Sequence, residues 1–239
     1  MRGAHGQKPE EIARLHDQSL SELSPSVRDF ALYISTQRRE LAVIARVQHS
    51  DPETGRSWPA RDLVAYAAAC DAAEVAALAV VTSAPRGSLE LLAAVASRTQ
   101  APILRDDLTL DPLQIYDARL HGADAVVLPA ADLDDATLAE LVRAAGSLHL
   151  ASVVEVQSSA DLTRALALRQ VLIGISADPA VTRRLAQAVP AHRTVIALRD
   201  PGDLAAIRSL RGEVDAVVVA ALLLDSPQVA ATLGQITGS

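Results

Sequence analysis

Lysine is nearly missing from this sequence of 239 residues: among 22 basic side chains only Lys8 is an ammonium, and asparagine does not occur. Chemistry that needs a lysine in a folded core is therefore excluded unless Lys8 supplies it. Aromatic residues make up 2% of the chain and the formal net charge is −7. With neither a basic stripe nor a stacking platform, no nucleic-acid partner is expected. Cys70 is the only cysteine, which rules out an intrachain disulfide framework and a cysteine-based metal site. No run of about eighteen uncharged apolar residues occurs, so no membrane partner is expected. The opening Met1-Arg2-Gly3-Ala4-His5 lacks the apolar stretch of a signal peptide, and the expected location is the cytoplasm.

Half of the residues are hydrophobic, enough for one large core. From about residue 40 onward, fully apolar runs alternate with amphipathic Ala/Leu-rich segments, the rhythm of βαβ units. The predicted strands are Leu41–Val47, Val75–Thr82, Pro102–Leu104, Ala125–Leu128, Ser152–Val156, Val171–Ile175, Thr194–Leu198 and Val214–Val219. Helices are predicted near 60–69, 88–97, 112–120, 134–146, 159–168, 179–188, 202–210 and 226–236, with Ser88, Asp134 and Asp200 as caps or first-turn acids. Eight such repeats read as an α/β chain of the (β/α)8 TIM-barrel class. Pro9–Ser21, with Ile12, Leu15 and Leu20 on one face, and Ser26–Thr36 read as extra N-terminal helices. No linker divides the chain, so residues 1–239 form one predicted domain, a helical extension (1–40) followed by the barrel (41–239).

Motifs for chemistry are sparse. No Ser-His-Asp set, phosphate-binding P-loop or dinucleotide fingerprint stands out, and His5, His16, His121, His149 and His192 have no metal-ligand spacing. His49, two residues from Asp51, reads either as a general base or as a solvated loop residue. Asp106 and Asp107 with Glu155 could offer oxygen ligands to a cation, but neighbouring strand residues point to opposite faces; no metal and no cofactor is expected. The acidic run Asp132-Leu133-Asp134-Asp135 reads as a helix N-terminus.

Several segments in the right order resemble the indole-3-glycerol phosphate synthases of tryptophan biosynthesis, from about Ser26 to the end. They are Ser26-Val27-Arg28-Asp29-Phe30; Val43-Ile44-Ala45 with Pro52 and Gly55; Gly87-Ser88-Leu89-Glu90; and Pro102-Ile103-Leu104-Arg105 with Asp107, Pro112 and Gln114. Gly122 to Leu128, Val153-Val154-Glu155-Val156 and Ile173-Gly174-Ile175 continue the series. The resemblance implies a lyase that closes an indole ring on an anilino-deoxyribulose phosphate with loss of carbon dioxide and water. In that family lysines and glutamates at strand ends do the work, an ammonium in a partly desolvated site being a suitable proton donor and carboxylate anchor.

Set against the resemblance, most of the implied site is substituted. The first-strand glutamate and lysine are Arg46 and Gln48, the following serine is Asp51, and the third-strand general-acid lysine is Asp106. The fifth-strand glutamate is kept as Glu155, while the sixth-strand asparagine pair is Ser176 and Ala177. The phosphate-holding Ser-Gly turn and the later glycine are replaced by Leu198-Arg199-Asp200-Pro201 and by Ala220. The second loop shortens to Ser83-Ala84-Pro85-Arg86-Gly87 and loses its aromatic side chains. Arg46 and Asp106 read first as a charge-swapped pair, because a semi-buried charge is costly alone. The alternative is a new ligand site of Arg46, Asp106, Glu155 and Arg199. The expected function is a barrel without the family reaction, serving as a binding, scaffold or regulatory protein with a small-molecule ligand or a tryptophan-pathway protein as partner. Two readings stay open beside it: retained carboxy-lyase activity through Glu155, and a changed reaction on an unphosphorylated ligand.

Overall fold

A computed structural model describes residues 23–36, 41–52, 54–58 and 62–238. Eight parallel strands close into a barrel: β1 (Ala42–Val47), β4 (Ala77–Val81), β5 (Ile103–Leu108), β6 (Ala125–Pro129), β7 (Ala151–Val156), β8 (Val171–Ile175), β9 (Val195–Ala197) and β10 (Ala216–Val219). Neighbours in sequence pair around the ring and β1 closes it by pairing with both β4 and β10. The (β/α)8 reading therefore holds. The predicted helix Pro9–Ser21, together with Lys8, His5 and His16, lies outside the described residues.

Alternation along each strand builds two layers. Ala42 and Ile44 of β1, Leu104 of β5, Val153 of β7, Ile196 of β9 and Val218 of β10 fill the barrel interior, while Val43, Val47, Ile103, Val154 and Val217 pack outward against the helices. The helix Phe30–Thr36 seals the amino-terminal end of the barrel by inserting Phe30 and Ile34 into the interior cluster. It starts later than predicted. The segment before it is an extended strap in which Ser26 Oγ donates to Asp124 Oδ1 at 2.6 Å and Arg28 Nε pairs with Asp124 Oδ2 at 2.8 Å.

Capping follows the sequence at Ser88 and Asp134, whose side chains accept from Leu91 N and Thr137 N. At Asp200 it does not: the cap of the helix Leu204–Arg208 is Asp203. Two other elements were not visible in the apolar pattern. A small antiparallel hairpin pairs β2 (Ser50–Asp51) with β3 (Arg56–Ser57) in the loop after β1, and a short helix, Ala221–Leu224, follows β10 directly. Among the described residues no helix is long and apolar enough to cross a membrane.

Candidate functional site at the carboxyl end of the barrel

Arg46, Asp106 and Glu155 continue the inward-facing rows of β1, β5 and β7, one step beyond Ile44, Leu104 and Val153. The pleat therefore brings all three side chains to the mouth. Arg46 Nε lies 2.6 Å from Asp106 Oδ2, with the two side chains 13% and 18% exposed, and Arg46 Nη2 donates to the carbonyl of Leu198 at 2.8 Å. Burial alone would lower the arginine pKa, but Asp106, then Asp200 and Asp51, hold it above the ordinary value. The guanidinium is thus fixed as a cation and held between a carboxylate and a backbone carbonyl. Asp107 points the other way, as strand alternation requires: it accepts from Thr82 Oγ1 at 2.9 Å and lies 3.8 Å from the wholly buried Arg105. The two adjacent aspartates do not share a site, and among the described residues no group of His, Cys, Asp and Glu is placed to hold a metal ion.

Glu155 is buried, and that burial pushes its carboxyl pKa up. Hydrogen bonds from Ser176 and from Gln157, the latter at 3.4 Å, pull the other way, while the negative charges of Asp106 and Asp132 add to the rise. The substituted position Ser176 is therefore in contact with the one retained carboxyl group.

Gln48 is completely buried. Its Oε1 accepts from Arg86 Nη2 at 2.9 Å, while its Nε2 and the Arg86 Nε are both sealed from solvent with no partner among the described residues. Arg86 sits on the shortened second loop, held where Arg86 N and Gly87 N both donate to Ser83 O and where His49 N donates to Arg86 O. Gly87 is required: a Cβ there would sit 1.8 Å from the backbone oxygen of Val81. His49 itself is half-buried and lies against this loop through its backbone.

Asp200 has a role that a helix-cap reading did not anticipate. Its Oδ2 accepts from the backbone N–H of Ala220 at 3.1 Å and of Ala221 at 3.0 Å, and its Oδ1 from Gly202 N at 3.1 Å. A carboxylate of the chain itself thus occupies the donors that open the short helix Ala221–Leu224. Ala220 is wholly buried and Arg199 exposed. Across the top, the hairpin is tied to the end of that helix by Asp225, which accepts from Arg56 Nη1 and Trp58 Nε1, both at 2.6 Å. The structure brings Arg46, Asp106 and Leu198 together, joins Glu155 to Ser176, and puts Gln48 with Arg86. Sequence reasoning missed Arg86 and Asp225. A loop arginine beside a buried glutamine is the signal that could have pointed to the first; nothing in the sequence pointed to the second.

Clefts on the amino-terminal side, such as that of about 510 Å³ between Leu41, Arg193, Val195 and Asp215, include none of these mouth residues.

The sequence matches the family model for indole-3-glycerol phosphate synthase over residues 4–236. It is 31% identical to the indole-3-glycerol phosphate synthase of Roseiflexus castenholzii over 91% of this chain and 88% of that protein. It is 33% identical to that of Paracidovorax citrulli over 87% of this chain and 85% of that protein. Among solved structures, orotidine 5'-phosphate decarboxylase from Pyrococcus horikoshii superposes with a TM-score of 0.61 at 12% identity, covering 82% of this chain and 100% of the other, a likeness of fold alone.

Proposed function

Because the chain belongs to the indole-3-glycerol phosphate synthase family, we propose that it is a member that has lost ring closure and serves tryptophan biosynthesis as a binding, scaffold or regulatory barrel. The observation that carries this reading is the Arg46–Asp106 ion pair of 2.6 Å at the mouth. In the family, those strand ends carry a glutamate and the lysine that protonates the substrate carbonyl. Here a carboxylate stands at the acid's place and is neutralised by an arginine, which holds its proton far too tightly to be a good donor near neutrality. Gln48 cannot supply the proton either. The Asp200 carboxylate supports the same reading from the other side of the mouth, since it occupies backbone donors with negative charge and would repel a phosphate arriving there. The experiment is turnover of 1-(2-carboxyphenylamino)-1-deoxyribulose 5-phosphate by purified chain, followed by the fluorescence of the indole product. Product formation at background rate is expected, and robust product overturns the reading.

A second reading rests on Glu155. A carboxyl group whose pKa is raised by burial is a stronger candidate for general acid than an arginine, and retained lyase activity would run through it. Glu155→Gln then abolishes turnover, while in a non-catalytic barrel there is no turnover for it to remove.

A further inference from the structure

We draw no further inference here: the strongest candidate, the patch of exposed apolar side chains Val27, Leu32 and Tyr33 on the strap and on the helix Phe30–Thr36 at the amino-terminal end of the barrel, carries nothing, because nothing among the described residues shows what covers it.

Discussion

Replacing Asp106 with Leu strands a guanidinium at the barrel mouth, and the structure sets the size of the effect. Arg46 is 13% exposed and among the described residues would keep only the carbonyl of Leu198 as a direct partner, at 2.8 Å. Removing one partner of a fully buried pair costs about 3–5 kcal/mol. Partial exposure and the residual attraction of Asp200 and Asp51 reduce this to about 2–3 kcal/mol. The converse change, Arg46→Met, leaves Asp106 nearer to water and costs somewhat less. In the double variant Arg46→Met/Asp106→Leu neither charge remains, and an apolar pair of similar volume is expected to be more stable than either single variant. The coupling energy should be about 2 kcal/mol, and for a chain of this size Asp106→Leu alone should lower the Tm by about 4–12 °C. Urea unfolding of the four proteins measures the cycle. If the single effects add to within about 0.5 kcal/mol, the two groups are energetically independent and the account of a mutually neutralised mouth is wrong.

Three further perturbations follow from individual contacts. Burial raises the Glu155 pKa, so its contribution to stability is fully present below the unfolded carboxylate value and is lost as pH rises through the folded value; Glu155→Gln should therefore raise the Tm at pH 7 and lose that advantage on acidification, and an offset independent of pH would contradict it. Hydrogen bonding from His121 Nδ1 to Asp117 raises the histidine pKa against the opposing effect of burial. That stabilisation is present below the unfolded histidine value and lost as pH rises through the folded one, so His121→Gln should destabilise more at pH 5.5 than at pH 8; equal losses in urea unfolding at both would remove the argument. Because Trp58 is the only tryptophan, Asp225→Ala should make its emission more accessible to acrylamide by freeing the hairpin, and unchanged quenching would show that the tether does not hold it.

Most of the barrel was legible because fully buried parallel strands are written as continuous apolar runs. Val171–Ile175 matches its predicted bounds, whereas Ile103–Leu108 runs four residues past the predicted end at Leu104. That extension carries Arg105, Asp106 and Asp107, charged residues that break the apolar run from which the bounds were drawn: Arg105 is buried against Thr82 and the Gln114 carbonyl, and Asp106 is neutralised from β1. The hairpin after β1 was invisible because its strands are two residues each, too short for a period to register. The Arg46–Asp106 contact was legible, since two substitutions of opposite sign fell on strand ends that face each other. Asp200 was misassigned for a physical reason: a carboxylate just before a helix is ordinarily its cap, and the competing donors at Ala220 and Ala221 lie twenty residues further along the chain.

The most direct measurement is the reaction itself, with purified chain and 1-(2-carboxyphenylamino)-1-deoxyribulose 5-phosphate at saturating concentration, monitored for indole product and carbon dioxide together. A mouth with its arginine neutralised by Asp106 and no lysine on the strands predicts background rates of both. Stoichiometric release of both products at a rate that scales with protein concentration would contradict it.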